Sequence, residues 1–161
     1  MANNQRSRIA ILSGAKIVIT EVGSYESNMN DIAARAEVSR ATVYNHFSDK
    51  EEMMISLVES EIRRLYEVGK KAPTKRDALY AISTEISRDP ALRKMVVTDP
   101  LDIAKFVTIT SHPLWTLIKG SLESLFGESS GTVLHWLIGQ IASPLTPAES
   151  AKQSDQMVRT L

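Results

Sequence analysis

The sequence predicts an all-α protein: an N-terminal three-helix unit followed by a larger helical remainder. Three observations lead there. Apolar residues recur at three- and four-residue spacing nearly throughout, and no stretch alternates as a strand would. Gly23, Pro90, Pro100 and Pro113 punctuate that pattern as helix stops and starts. Between Asn28 and Lys50, two short helical patterns sit around a tight turn.

The first helix is expected from about Asn4 to Val22, with Ile11, Ala15, Val18 and Val22 as its buried stripe and Gly23 as its stop. Asn28 is placed to cap the second helix, with Asp31 at capping-box spacing. Ile32, Ala33 and Ala36 give that helix a small apolar inner side, which lets a neighbour approach closely. Ser39 is placed to cap the third helix, Arg40 to about His46. Val43 and Phe47, four apart, point inward with Val38 from the turn. Arg40, Thr42, Tyr44, Asn45 and His46 are left facing outward. So short a helix does not persist alone in water, so packing must hold it. Short, rigid and polar outside is what an element entering a DNA major groove requires. An ordinary helical hairpin with a wet face would show the same residues.

The fourth helix opens with Ser48 and Glu51 at capping-box spacing and runs through Met53, Met54, Leu57, Val58, Ile62 and Leu65 to about Gly69. At 1.5 Å per residue it spans roughly 30 Å. The domain reading is therefore 1–50 for the helix-turn-helix unit and 51–161 for a helical effector-binding and dimerisation domain, with the helix at about 48–69 shared as a lever. Further helices are expected at about 75–88, 90–97, 100–110, 113–126, 131–142 and 147–160, with 127–132 a loop and 143–147 a turn. The 131–142 helix is apolar nearly all round, which implies a second covering surface. A second copy of the chain is the expected cover, over Leu134, Trp136, Ile138 and Ile141, with Met157 from the last helix. The alternative is the central helix of one domain. Tyr80, Ile103, Phe106, Val107, Trp115 and Ile118 are candidates to line an apolar effector cavity, though such spacing also describes plain core.

Composition narrows the chemistry. The absence of cysteine removes disulfides, thiolate metal sites and cysteine nucleophiles together. The start, MANNQRSR, lacks an apolar signal segment, and no run approaches the roughly 18 apolar residues of a membrane helix. A cytoplasmic protein is the expectation. The histidines, His46, His112 and His135, do not fall at metal-ligand spacing with carboxylates. There is no phosphate-binding glycine loop and no nucleophile elbow. No enzymatic activity, cofactor or metal is expected. Formal net charge is zero, and residues 1–50 hold six basic side chains against five acidic, so any attraction to nucleic acid rests on placement rather than total charge. Lys50 lies in the first turn of the fourth helix, where the helix dipole disfavours a cation and a phosphate would satisfy both.

Met29-x-Asp31-Ile32-Ala33, then Ala36-x-Val38-Ser39-x-Ala41-Thr42-Val43-Tyr44-x-His46-Phe47, then Lys50-Glu51-Glu52-Met53, form one ordered pattern. It resembles the N-terminal DNA-binding domain of the TetR family of bacterial transcriptional regulators. Ile11-Leu12, Ala15 and Gly23 extend the resemblance, which covers about residues 8–65. Beyond there only the helical layout is similar. The resemblance implies a homodimeric repressor that binds a palindromic operator in double-stranded DNA and is released by a small-molecule effector. By position, Arg40 would reach base edges; Thr42, Tyr44 and His46 would touch phosphates or thymine methyls; Lys50 would hold a phosphate. Asn28 would touch the DNA backbone, and Ser39 and Asn45 complete the DNA-facing set. The sequence departs from the family at Glu37, where many members have Gly. If that turn needs a positive φ, the substitution costs on the order of 1 kcal/mol. The C-terminal region is also shorter than is usual in the family. The alternative reading is a helical ligand- or protein-binding module that keeps the helix-turn-helix as scaffold.

Overall fold

The computed structural model describes residues 2–109 and 111–159. Thr110, Thr160 and Leu161, where the sequence pattern carries two helices to their ends, lie outside the described residues. In chain order the helices are α1 (Ala2–Val22), α2 (Met29–Arg35), α3 (Arg40–His46), α4 (Lys50–Lys71), α5 (Lys75–Arg88), α6 (Pro90–Thr98), α7 (Pro100–Thr108), α8 (Pro113–Phe126), α9 (Ser130–Ala142) and α10 (Pro147–Val158). Among the described residues there is no strand. The chain divides into two compact units, one of residues 1–59 and 90–103, the other of residues 60–89 and 104–161. The division runs through α4 and gives the whole of α6 to the first unit.

The first unit is built around Ile11, Leu12, Ala15, Val18 and Ile19 of α1, which pack on Ile32 and Ala33 of α2, Val43, Phe47, Met53 and Leu57. Ala91 of α6 is buried in the same core and Met95 packs against it. Val22, expected in the buried stripe, is 40% exposed; Ile19 at 1% takes the inward place because the helix turns 100° per residue and 18 and 19 straddle the buried direction. Gly14 makes the α1–α2 crossing possible: a Cβ there would sit 2.9 Å from the Ala36 amide nitrogen and 3.0 Å from the Ile32 carbonyl oxygen.

The second unit packs Ala78, Leu79 and Ile82 of α5 against Leu122 and Phe126 of α8 and Val133 and Leu137 of α9. Alongside this apolar core lies a buried polar one. Ser83 donates to Gln140 Oε1 at 2.8 Å and lies 2.8 Å from Ser150 Oγ, while Ser87 donates to the same Gln140 oxygen at 3.1 Å. Small hydroxyl side chains let α5, α9 and α10 come close while satisfying one another.

Two local expectations change. The 127–132 segment is not a loop: a 3₁₀ turn covers Gly127–Ser129 and α9 begins at Ser130, so Gly131 and Thr132 are helical. The cap of α4 is also shifted by one residue. Asp49, not Ser48, receives the Glu52 amide at 2.8 Å, and Glu52, not Glu51, accepts from the Ser48 amide at 2.7 Å and its hydroxyl at 2.8 Å. The helix starts at Lys50, so the third position from its cap is Glu52.

Candidate nucleic-acid interface

The α2–turn–α3 segment is assembled by side chains that bond to nearby backbone. Asn28 Oδ1 accepts from the amides of Asn30 and Asp31, both at 3.0 Å. Asp31 accepts from the Asn28 side-chain amide at 2.6 Å, so it locks the capping side chain itself. Ser39 Oγ accepts from the Thr42 amide at 3.0 Å and lies 2.8 Å from Thr42 Oγ1. At the turn between them, Glu37 adopts φ 55 and is exposed. That is the left-handed region anticipated at this position, held by a non-glycine residue at a cost of about 1 kcal/mol.

The seven-residue α3 is held in place by two inward-facing side chains, Val43 at 0% exposure and, just past the helix, Phe47 at 1%. Arg40, Tyr44 and Asn45 project into solvent, while Thr42 and His46 are half-buried. The His46 ring tilts against Phe47 with centroids 6.2 Å apart. Asn28 and Ser39 are exposed. The arrangement is a rigid rod whose donors and acceptors face outward, stiffened from behind. Part of that stiffening comes from Arg8, whose guanidinium lies 4.7 Å from the Phe47 ring centroid and donates to Ser56 Oγ at 3.0 Å. No spacing in the sequence points to Arg8, because both its partners are more than thirty residues away.

Lys50 behaves differently from the rest of the expected DNA-facing set. Its ammonium donates to the Tyr25 carbonyl at 2.9 Å and the Ser27 carbonyl at 2.7 Å. Two of its three donors are thus committed inside the unit.

Asp99, at the α6–α7 junction, is a second residue that periodicity does not mark. It is 6% exposed and accepts from the Ser24 amide at 2.8 Å, the Tyr25 amide at 2.9 Å and Thr98 Oγ1 at 2.6 Å. Burial pushes its carboxyl up, but the bonds from Thr98, Tyr25 and Ser24, with the nearby Lys50 charge, outweigh that and hold it below the usual carboxylate value.

The candidate effector residues are distributed as follows. Ile103 is half-buried in the first unit. In the second, Phe106 and Trp115 stack with centroids 5.6 Å apart, and Trp115 Nε1 donates to the Phe106 carbonyl at 3.0 Å. Ile118 packs against the apolar core, Val107 is half-buried, and the Arg76 guanidinium lies 5.5 Å from the Tyr80 ring centroid. An open hollow of about 620 Å³ lies between α4 and α8, lined by Tyr66, Pro113, Thr116, Leu117, Gly120, Ser121 and Ser124. The candidate interface residues Leu134, Trp136, Ile138, Ile141 and Met157 are all half-buried. Trp136 Nε1 donates to Gln153 Oε1 at 2.6 Å, which ties α9 to α10 within the chain. Among the described residues, no group of three His, Cys, Asp or Glu is placed to hold a metal, and no helix is long and apolar enough to cross a membrane.

Residues 11–57, which contain this entire helix-turn-helix, match the family model for bacterial regulatory proteins of the tetR family. Over that segment the chain is similar to the tetR family of bacterial regulatory proteins. Among curated relatives, the fatty acid metabolism regulator protein of Bacillus subtilis is 25% identical over 132 residues, 79% of this chain and 68% of that protein. The HTH-type transcriptional repressor KstR of Rhodococcus jostii is 29% identical over 98 residues, 56% of this chain but only 46% of that protein. Two solved structures share the fold along nearly the whole chain. A TetR-family transcriptional regulator from Mesorhizobium loti superposes with a TM-score of 0.66 at 17% identity, covering 98% of this chain and 95% of its own. The fatty acid degradation regulator from Bacillus halodurans gives 0.64 at 18% identity, covering 93% of each. Residues 11–57 thus carry a helix-turn-helix segment like that of bacterial regulatory proteins, and the rest of the chain shares the helical fold of the solved structures.

Proposed function

We propose that this chain is a TetR-family transcriptional regulator: a homodimeric, non-enzymatic, cytoplasmic repressor that binds a palindromic operator and is released by a small apolar effector. The observation that carries the reading is the α3 face: Arg40, Tyr44 and Asn45 exposed on a helix capped by Ser39 and backed by Val43 and Phe47. Arg40 offers a bidentate donor fork to a guanine edge, the commonest specific base contact. Thr42, Tyr44 and His46 contact phosphates or thymine methyls and Asn28 touches the DNA backbone, which fixes the register, while Ser39 orders the start of α3. In a two-fold dimer, two such heads read half-sites about one helical turn apart.

Support for the dimer is that Leu134, Ile138 and Ile141 along one side of α9 are only half-buried, as are Trp136 on another side and Met157 on α10. An apolar effector is supported by two relatives named for fatty acid metabolism or degradation, and by an open hollow in the second unit whose lining holds no charged side chain. Since α4 contributes residues to both units, it is one covalent link along which a ligand would bias DNA affinity. Such coupling typically amounts to about 1–3 kcal/mol and requires different ligand affinities in the two states.

Selection of bound duplexes from a random library, repeated with Arg40→Ala and Tyr44→Ala, tests this function. An enriched inverted repeat that relaxes in the variants supports it. Absence of enrichment at low salt from folded protein would overturn it in favour of a module that keeps the head as scaffold.

A further inference from the structure

The link between α1 and α2, residues 24–27, is gripped from both sides by charged side chains. Its donors meet an anion: the amides of Ser24 and Tyr25 point at the two oxygens of Asp99. Its acceptors meet a cation: the carbonyls of Tyr25 and Ser27 receive Lys50 Nζ. Ser27 Oγ closes the link on itself by donating to the Ser24 carbonyl at 2.6 Å. Gly23 is what admits the carboxylate, since a Cβ there would lie 2.7 Å from Asp99 Oδ2. The residue after this link, Asn28, caps α2.

We infer that Asp99 and Lys50 are positioning residues for DNA binding: they hold residues 24–27 and so set the angle at which α2 and α3 leave α1. Two consequences follow. Lys50 acts from within the unit, with two of its three donors spent on the link. The reading head also depends on a residue outside the contiguous N-terminal domain, carried by the α6–α7 junction. A buried carboxylate is tolerable only because donors surround it, and here two of the three, beside the Thr98 hydroxyl, are the backbone that must be held still.

The inference rests on the DNA-binding reading of α3, and three measurements on the full chain separate the two. The first needs no DNA. Amide hydrogen exchange at Ser24 and Tyr25 is expected to speed up about tenfold or more in Asp99→Asn and to accelerate at the link in Lys50→Met, with the melting of the second unit unchanged. Unchanged exchange at these amides overturns the clamp whatever the protein binds. The second is operator affinity. Asp99→Asn removes a negative charge, which by long-range field alone would strengthen binding to DNA. Positioning predicts the opposite sign, a loss of about tenfold. Tighter binding overturns it. The third is the salt dependence of Lys50→Met. A positioning lysine lowers affinity at every salt concentration and leaves the slope unchanged. A phosphate-contacting lysine lowers the slope by about one, which would overturn the Lys50 assignment.

Discussion

Two sets of polar side chains, one in each unit of this protein, do opposite work. In the first, Asn28, Ser39, Asp49, Lys50 and Asp99 bond to backbone groups near turns and helix starts. In the second, Ser83, Ser87, Gln140 and Ser150 bond chiefly to one another in the interior, where α5, α9 and α10 meet. The first arrangement fixes where a short chain segment goes while leaving the outer faces of its helices unspent, as a recognition element requires. The second uses these buried side chains to pack helices against one another. A head that must present Arg40 and Tyr44 to a target relies for its shape on caps as well as on the apolar core behind it.

The largest test of that contrast is Phe47→Ala. Phe47 is 1% exposed and supports both α3 and the Arg8 guanidinium, so its loss is expected to cost about 3–5 kcal/mol, read from the urea midpoint of the first unit. A loss under about 1 kcal/mol would show that the caps, not the core, carry the head. Next comes Gly23→Ala. With φ at +89 and Asp99 Oδ2 2.7 Å from the would-be Cβ, strain of about 1–3 kcal/mol is expected. In the second unit, Ser83→Ala leaves the buried Ser150 hydroxyl short of a partner and is expected to cost about 1–3 kcal/mol. Its operator affinity, measured on folded protein, should not change. A large affinity loss would mean that the polar interior is not confined to packing.

What was legible in the sequence follows the reach of each interaction. Asn28 and Ser39 cap helices by bonding three residues on, so residue type and spacing identify them. The proline-led helices α6, α7, α8 and α10 were legible for the same reason, since each begins at its proline. The Asp99 bond to Ser24 spans 75 residues and the Ser83 bond to Gln140 spans 57, and no local pattern encodes either. Lys50 illustrates the intermediate case. Its position in the first turn of α4 was readable, but the carbonyls of Tyr25 and Ser27 that occupy it depend on how α1 and α4 pack. Gly14 was opaque too: a glycine inside a helix reads as a weakness until α2 is seen crossing it.

Acid sharpens the comparison further. The Asp99 carboxyl titrates below its ordinary value of 3.8, so its contribution to stability is complete above that value and is lost as pH falls through the lowered one. The denaturant midpoint of the first unit should therefore exceed that of Asp99→Asn at neutral pH, and the gap should narrow only in strong acid. A gap that closes near pH 6 would mean the carboxylate is not held by the link.

The smallest effect on stability belongs to Ser39→Ala, and it separates shape from strength. The Thr42 amide that Ser39 caps is at the surface, so water replaces the lost acceptor and the cost is about 1 kcal/mol. Yet Ser39 Oγ also lies 2.8 Å from Thr42 Oγ1, and together they order the start of the helix that bears Arg40. Freed of its cap, the first turn of α3 frays, and Arg40 samples many orientations instead of one. Operator discrimination, measured as the ratio of specific to non-specific affinity, should then fall more than stability does, while the salt slope stays near that of the unaltered protein. Equal losses in both affinities would place the hydroxyl in a phosphate contact instead. A cap that matters little to folding and much to reading is the outcome that separates the two units most sharply.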